Sequence, residues 1–243
     1  MTKLLFRQHI PHSSSSMKEI RGGSAHLVVT SPPYPMIAKW ENIFGNMSFD
    51  AQHDMLFKTW KEVSRILCEG GIACVNIGDA TRTVDGIFRC YPNAARVTMD
   101  FHRLGMVSLI PIIWKKISNR PNAFLGSGFL PPNAYVSQDC EYILIFRKGG
   151  LRKFPSKDPR REASEYTRIE RDLWFSQLWE IPGARGAGET SAFPEEIPRR
   201  LIRMFSVVGD LVVDPFEGTG TTGRIANDLC RSYIGFEIIG KGA

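Results

Sequence analysis

The stretch Leu211–Gly223, LVVDPFEGTGTTG, decides the fold class of this chain. Its first three residues predict a buried strand that ends at Asp214, and Gly218, Gly220 and Gly223 lie between this strand and a predicted helix. Glycines in such a turn let the backbone approach a ligand closely and point the helix N-terminus at it. The stretch therefore predicts an α/β fold that binds an adenosine-containing cofactor, and it fits a dinucleotide fold equally well.

The position of the glycine turn near the end of the sequence separates these cofactor folds. No Lys follows the glycines, which excludes a phosphate-binding P-loop. A dinucleotide fingerprint normally opens its domain, whereas only 20 of the 243 residues follow Gly223. The flanking strands must come from earlier in the chain, and this permuted order argues against an ordinary NAD-dependent oxidoreductase. A purely structural turn leaves unexplained why Glu237, a carboxylate able to bind ribose hydroxyls, ends the next predicted strand.

The rest of the chain alternates between predicted strands and helices, as α/β proteins do. Strands are predicted at Leu27–Thr30, Ile72–Gly78, Val107–Trp114, Glu141–Lys148 and Tyr233–Ile238, and helices at Asp50–Leu67, Pro92–Leu104, Phe193–Ser206 and Thr221–Leu229. Asp50 is expected to cap its helix, and Gly70 with Gly71 to stop it. Residues 118–140, rich in Gly, Pro and Asn, predict a long loop. We expect residues 1–243 to form one domain.

The composition predicts a cytoplasmic protein with a polyanionic partner. The net charge is +6, and the segment Arg147–Arg171 holds nine Lys and Arg against four Asp and Glu. Such a segment is typical of a nucleic-acid contact, although an ordinary solvated loop explains it equally well. Five cysteines without a C-x-x-C pair, together with scattered histidines, favour a reduced protein without a metal site. No apolar run approaches the roughly 20 residues of a membrane span, and no secretory signal is expected.

A second motif, HLVVTSPPYP at His26–Pro35, ends another predicted buried strand in a stiff turn. Prolines cannot donate to a sheet, and they restrict the residue before them. The turn Ser31–Tyr34 therefore places a hydroxyl and an aromatic ring at the end of a core strand. Alone, such a turn could be structural, with its tyrosine packed in the core.

Together, the two motifs make the chain resemble the DNA methyltransferases that methylate exocyclic amines with S-adenosyl-L-methionine. Their order, with Ser-Pro-Pro-Tyr first and the glycine motif last, is similar to the permuted β group, and residues 66–80, 141–150 and 191–223 are similar to family segments. The resemblance implies a doubly wound, mainly parallel, Rossmann-like sheet with circularly permuted motif order. It also implies S-adenosyl-L-methionine as cofactor and double-stranded DNA as substrate.

Two features depart from the family pattern. The segment His12–Ile20, HSSSSMKEI, stands where the family often has Gly-Asp followed by Ser or Ala. A closing helix is also expected after the last strand, and the N-terminal segment must supply it if it is present.

The chemistry of amine methylation explains the Ser-Pro-Pro-Tyr turn. The exocyclic amine of a base is a weak nucleophile because its lone pair is delocalised into the ring, so the nitrogen must become pyramidal to attack. Ser31 Oγ and the carbonyl of Pro32 can accept its hydrogens, and Pro33 keeps that carbonyl rigid. Tyr34 can stack on a base that has flipped out of the duplex. No Cys lies beside the turn, which argues against C5-cytosine methylation.

The resemblance also assigns the cofactor contacts and the target base. The implied cofactor-binding residues are Asp214, Pro215, Phe216, Gly218, Gly220, Thr221, Thr222, Glu237 and Phe193. In the family, a serine at the position of Ser31 usually accompanies methylation of cytosine N4, and an aspartate or asparagine usually accompanies methylation of adenine N6. Cytosine N4 is therefore expected, with adenine N6 as the alternative.

DNA recognition is expected between the two motifs, in insertions around residues 118–138 and 149–190. The candidates for phosphate contacts are Lys39, Arg152, Lys153, Arg160 and Arg161. A non-catalytic nucleic-acid-binding module would also explain these residues, but it would leave the cofactor motif without a role. The resemblance further implies a monomer or homodimer that could act beside a cognate restriction endonuclease.

Overall fold

A nine-stranded sheet forms the centre of the computed structural model, which describes residues 6–117, 125–127, 130–183 and 193–238. The strands of this sheet and of two separate hairpins are β1 Arg7–Ile10, β2 Ala25–Thr30, β3 Leu67–Ile77, β4 Ala80–Val84, β5 Ile87–Tyr91, β6 Val107–Ser108, β7 Ile112–Ile117, β8 Leu125–Gly126, β9 Ala134–Tyr135, β10 Cys140–Arg147, β11 Leu178–Pro182, β12 Leu211–Asp214 and β13 Ser232–Phe236. The helices are α1 Glu41–Phe44, α2 Phe49–Ile66, α3 Asn93–Arg103, α4 Pro159–Glu162, α5 Arg168–Trp174, α6 Glu196–Phe205 and α7 Thr221–Asp228, and a 3₁₀ turn covers Ala38–Trp40.

The central sheet is mainly parallel. Its strand order is β1-β13-β12-β2-β3-β10-β7-β11, and β6 pairs with β10. Strands β1, β13, β12, β2 and β3 are parallel, β10 is antiparallel to β3 and β7, and β11 is parallel to β7. Parallel strands are buried on both faces, which explains the nearly continuous apolar runs of β2 and β3. The predicted α/β class is confirmed.

Two hydrophobic clusters cover the two faces of the sheet. One contains Trp60 of α2, Phe101 of α3 and Phe146 of β10, and the rings of Phe101 and Phe146 stack with centroids 4.1 Å apart. The other contains Leu201 of α6 and Ile225 of α7. Helices therefore pack on both faces, and the doubly wound arrangement is confirmed. Within the described residues, no helix is long and apolar enough to cross a membrane.

Helix α2 begins and ends differently from the prediction. The capping residue is Ser48, whose hydroxyl accepts a hydrogen bond of 3.3 Å from the amide of Ala51, and Asp50 lies inside the first turn. The helix passes directly into β3, so Gly70 and Gly71 belong to that strand and do not stop the helix. Gly70 is required there for another reason, because a Cβ atom would lie 2.3 Å from the amide nitrogen of Arg152.

Two further elements differ from their predicted form. The strand predicted at Val107–Trp114 divides into β6 and β7 before and after Pro111, which cannot donate to a sheet. The loop predicted at residues 118–140 lies partly outside the described residues, and its described part contains the hairpin of β8 and β9. Hairpin β4–β5 was not predicted at all, because its strands are largely exposed and lack a regular apolar pattern.

The N-terminal segment completes the sheet with a strand. β1 runs parallel to β13, with Arg7 opposite Tyr233 and Ile10 opposite Phe236. Of the two expected alternatives, a closing helix from the N-terminal segment or no closing helix, the described residues of this segment show no helix and supply a strand. A parallel strand satisfies the backbone groups at the edge of β13, which a helix could not do.

Candidate active site at the carboxyl edge of the sheet

The carboxyl ends of β2 and β12 meet at one edge of the sheet. The two strands are parallel neighbours, with Val28 opposite Val213, so the turns that follow them leave the sheet side by side. Thr30, the last residue of β2, donates a hydrogen bond of 2.6 Å from Oγ1 to Oδ1 of Asp214. The structure therefore joins two motifs that lie far apart in the sequence.

Asp214 is a buried carboxylate at the start of the glycine turn. Its exposure is 2%, and Oδ1 also accepts a hydrogen bond of 3.1 Å from the amide of Phe216. Burial raises the pKa of Asp214 from its ordinary value near 3.8 to about 6, because desolvation disfavours the charged form. Hydrogen bonds from Thr30, Thr222 and the Phe216 amide oppose this rise in pKa. The same hydrogen bonds fix the direction in which the turn leaves β12.

The glycine turn has a left-handed backbone at two positions. The φ angle is +53° at Gly218 and +77° at Gly220, a region that residues with a Cβ rarely adopt. A Cβ at Gly220 would lie 2.6 Å from Nη2 of Arg7, whereas a Cβ at Gly218 would point into open space. The amide of Gly218 donates a hydrogen bond of 2.7 Å to Oε2 of Glu237. The carboxylate predicted to bind ribose therefore lies directly beside the turn.

Glu217, inside the glycine turn, is a residue that sequence reasoning missed. Its side chain is 3% exposed, its Oε1 lies 3.9 Å from Nη2 of Arg7, and its Oε2 is hydrogen-bonded to Nδ1 of His9. Arg7 and His9 point to this carboxylate from β1, which shows that the N-terminal strand braces the turn. Local sequence gives no signal for a contact between residues 208 positions apart.

A hydrogen-bonded network surrounds the hydroxyl of Tyr34. This hydroxyl lies 3.2 Å from Oγ of Ser31, donates to Oε2 of Glu141 at 2.8 Å, and accepts from Nδ2 of Asn76 at 2.7 Å. Asn76 also donates to Glu141 at 2.7 Å, and Nζ of Lys116 donates to the other oxygen of Glu141. Sequence reasoning found Ser31 and Tyr34 but missed the other three residues, which come from β3, β10 and β7.

The environment of Tyr34 keeps its phenol protonated. Burial raises the pKa of Tyr34 well above its ordinary value of 10, and the neighbouring Glu141 carboxylate raises it further. Hydrogen bonds from Ser31 and Asn76 act in the opposite direction. Tyr34 therefore serves as a hydrogen-bond donor to Glu141 throughout the physiological pH range.

The loop after Tyr34 is fixed by three polar side chains. Met36 has a φ of +65°, a strained value for a residue with a Cβ. Its amide donates to Oε1 of Gln52 at 2.8 Å, and its carbonyl accepts from Nε of Arg82. Asn93, fully buried, donates from Nδ2 to the carbonyl of Pro35 at 3.1 Å. These contacts hold the Ser-Pro-Pro-Tyr turn in one conformation.

The remaining predicted residues of the carboxyl edge fall into two groups. Those that are buried are Pro32, Pro33, Pro215, Thr222 and Phe193, and those that are partly exposed are Phe216 and Thr221. Phe193 packs in the hydrophobic cluster with Leu201, so its described contacts are with the core. Lys39 is exposed in the 3₁₀ turn, with its Nζ 5.6 Å from the ring centroid of Trp40.

The other predicted phosphate-binding residues lie at the opposite edge of the sheet, and they are Arg152, Lys153, Arg160 and Arg161. The guanidinium group of Arg152 forms two hydrogen bonds with Asp210, the residue before β12. Asp214 is the last residue of β12, so the four-residue strand, about 13 Å long, separates Arg152 from the glycine turn. Arg152 and Arg161 both lie over the ring of Phe154, with their Cζ atoms 4.6 and 5.2 Å from its centroid. The structure does not bring these residues to the Tyr34 turn, and their DNA contacts stay predictions.

The sequence matches a known protein family over most of its length. Residues 25–241 match the family model N6_N4_Mtase, described as DNA methylase. The chain is 53% identical to the Type II methyltransferase M.MjaI of Methanocaldococcus jannaschii, over 91% of this chain and 84% of that protein. It is 42% identical to the Type II methyltransferase M.MthZI of Methanothermobacter thermautotrophicus, over 93% of this chain and 71% of that protein.

Solved structures have the same fold. The protein TTHA0409 from Thermus thermophilus, solved in complex with S-adenosyl-L-methionine, is 32% identical with a TM-score of 0.79, over 98% of this chain and 91% of that chain. The cytosine-N4-specific PvuII DNA methyltransferase matches with a TM-score of 0.71 at 24% identity, over 96% of this chain and 82% of that chain. At that identity the second likeness concerns the fold alone.

Proposed function

The chain belongs to the DNA methylase family, and from this premise we propose that it transfers a methyl group from S-adenosyl-L-methionine to the N4 amine of cytosine in double-stranded DNA. The observation that carries the proposal is the hydrogen bond between Thr30 and Asp214. It holds the Ser31 turn, which suits an amine, beside the glycine turn, which suits the cofactor. Two adjoining sites are what a direct transfer requires.

The residues of the glycine turn fit an adenosyl cofactor. A ligand can approach the backbone at Gly218, because a Cβ there would meet open space. Oε2 of Glu237 accepts a hydrogen bond from the Gly218 amide, so Oε1 is left to accept a hydrogen bond from a ribose hydroxyl. Phe216, partly exposed beside Trp60, offers an apolar surface. When bound, S-adenosyl-L-methionine supplies a methyl group activated by the sulfonium charge.

The Ser-Pro-Pro-Tyr turn supplies the acceptors for the amine. Ser31 Oγ and the carbonyl of Pro32 accept the two amine hydrogens, which favours the pyramidal nitrogen that attacks. Pro32 and Pro33 are buried, so the turn cannot relax away from this geometry. A base inside a duplex cannot reach the turn, and the target nucleotide must flip out, with Tyr34 lying against it.

The choice of cytosine N4 depends on Ser31. A serine at this position is usual in the N4-cytosine enzymes that the sequence resembles. Both candidate bases carry an amine beside a ring nitrogen, so the acceptors of the turn are chemically compatible with adenine N6 as well. Cytosine N4 is therefore the proposal, and adenine N6 is the outcome to be tested against it.

The biological setting that we propose is a restriction–modification system. M.MjaI and M.MthZI are Type II methyltransferases, and they match this chain over more than nine tenths of its length. We place the chain in the permuted β group, as a single cytoplasmic domain of residues 1–243 that acts as a monomer or homodimer beside a cognate restriction endonuclease. Residues around 118–138 and 149–190 are the proposed recognition insertions, and Lys39 is the proposed phosphate contact nearest the turn.

Transfer of a labelled methyl group tests this function. Purified protein is incubated with unmethylated genomic DNA and S-adenosyl-L-methionine labelled in the methyl group, and acid-insoluble label is counted. Ser31→Ala should retain cofactor and DNA binding but lose transfer by about 10²-fold or more. No label on DNA from wild-type protein that binds the cofactor would overturn the proposal.

A further inference from the structure

The network around Tyr34 forms a continuous path for a proton. It begins at Ser31 Oγ, passes over 3.2 Å to the hydroxyl of Tyr34, and continues over 2.8 Å to Oε2 of Glu141. Tyr34 donates to the carboxylate, so its oxygen is open to accept from Ser31. Each hydroxyl in this path therefore donates its hydrogen bond in the direction of Glu141.

Methylation of an exocyclic amine creates a proton that must leave. As the N–CH₃ bond forms and the S–CH₃ bond breaks, the nitrogen becomes positively charged, and its lone pair returns to the ring only after a proton is lost. Ser31 cannot keep this proton, because a protonated alcohol is a very strong acid. The amine cation is also a strong acid, so even a weakly basic carboxylate at the end of the path suffices.

Glu141 is held in place as the end of this path. Its side chain is 13% exposed, and the groups that face it are the Lys116 ammonium from β7, the phenol of Tyr34 and the neutral amide of Asn76 from β3. A Cβ at Gly78 would lie 3.2 Å from Cγ of Glu141 and 3.3 Å from Cε2 of Tyr34. Glycine at position 78 thus permits the close approach of the two side chains.

We propose that Glu141 is a positioning residue that accepts, through Tyr34, the proton released from the methylated amine; this inference rests on the proposed function. The amine proton moves to Ser31 Oγ as the Ser31 proton moves to Tyr34 Oη and the Tyr34 proton moves to Glu141 Oε2. The base ends neutral, Ser31 and Tyr34 are restored, and Glu141 carries the proton until it passes to water. Lys116 and Asn76 orient the carboxylate towards Tyr34.

A double-mutant cycle tests the path. Glu141→Gln removes the acceptor, and Tyr34→Phe breaks the path while it keeps the ring. Each is expected to lower the single-turnover rate of methyl transfer by about 10²-fold or more, with unchanged dissociation constants for DNA and S-adenosyl-L-methionine. The double variant should lose no more than either single variant, because both act on one path. Glu19→Gln, a carboxylate on the surface paired with His12, is the matched control and should retain the wild-type rate.

A further readout separates the path from a structural role. In NMR titrations of protein labelled at tyrosine Cζ, without cofactor or DNA, the pKa of Tyr34 should be lower in Glu141→Gln than in wild type, because the carboxylate raises it.

The outcomes distinguish the path from the proposed function. If wild-type protein methylates DNA but Tyr34→Phe and Glu141→Gln keep its rate, the proton path is wrong and the function stands. Losses that add in the double variant would also contradict the path. If wild-type protein methylates no DNA, the proposed function fails first.

Discussion

Thr30 donates a hydrogen bond of 2.6 Å to Asp214 across 184 residues of sequence. Both side chains are buried, with exposures of 1% and 2%. Thr30 directly precedes Ser31, and Asp214 opens the glycine turn, so this one bond ties the proposed amine site to the proposed cofactor site. A change at Thr30 is therefore expected to act on both sites.

Thr30→Val tests this coupling. Valine has the shape of threonine but cannot donate, so Asp214 loses a hydrogen bond in a buried site. Loss of one partner of a buried polar group costs about 1–3 kcal/mol of the free energy of unfolding. The cofactor should also bind more weakly. Thr83→Val, at an exposed position of β4, is the matched control. Urea unfolding and calorimetric titration measure both effects, and equal results for the two variants would contradict the coupling.

Asp214 should make the stability of the protein decrease as pH rises. Its pKa is about 6 in the folded protein and near 3.9 when unfolded. As pH rises, the carboxyl group therefore ionises in the unfolded state before it ionises in the folded state. The contribution of Asp214 to the free energy of unfolding should fall by about 2 kcal/mol between pH 4 and pH 6, out of about 3 kcal/mol over the whole titration. It should change little above pH 7, where both states are ionised.

Asp214→Asn isolates this contribution from those of the other titrating groups. The asparagine oxygen can still accept from Thr30 and Phe216 but cannot ionise. The difference in free energy of unfolding between wild type and variant should therefore follow the predicted decrease. Parallel pH curves for the two proteins would show that burial does not raise the pKa of Asp214.

Gly218→Ala should weaken cofactor binding more than its effect on stability explains. Gly218 and Gly105 both have positive φ, +53° and +73°, and a Cβ at either meets no atom within 4 Å. Each substitution should cost about 1–2 kcal/mol of stability, because alanine is strained in the left-handed region. Only Gly218→Ala should raise the dissociation constant of S-adenosyl-L-methionine, by about tenfold or more, because its Cβ enters the space of the ligand. Equal cofactor affinity in the two variants would remove Gly218 from the site.

The sequence patterns predicted the frame of the fold but not the full site. Strand β12, the glycine turn and helix α7 were predictable, because an apolar run, a left-handed turn and a helix start are all local features. Glu141 and Lys116 were not, because their position at the site depends on β10 being antiparallel to β3 and β7. No local pattern encodes that register. β1 was missed because a four-residue strand with three exposed residues has no periodic signal.

The salt dependence of DNA binding should show whether both ends of the parallel strands contact DNA. Lys39 lies near the Ser31–Tyr34 turn, and Arg161 lies beside Phe154 at the amino ends of the parallel strands. Each residue that contacts a phosphate releases about one counterion. Its removal should therefore make the fall of the logarithm of the DNA-binding constant with the logarithm of salt concentration shallower by about one unit of slope. Lys39→Ala and Arg161→Ala are both predicted to do so. An unchanged slope for Arg161→Ala would mean that the surface at the amino ends of the parallel strands does not contact DNA.

Nucleoside mass spectrometry of DNA treated with the wild-type protein tests the proposed methylation of cytosine N4. Unmethylated genomic DNA is incubated with protein and S-adenosyl-L-methionine, digested to nucleosides and searched for both methylated products. We expect N4-methylcytosine as the product, and we expect it to be lost with Ser31→Ala. N6-methyladenine as the only product would contradict the role given to Ser31, and the absence of both products would contradict the proposed DNA methylation itself.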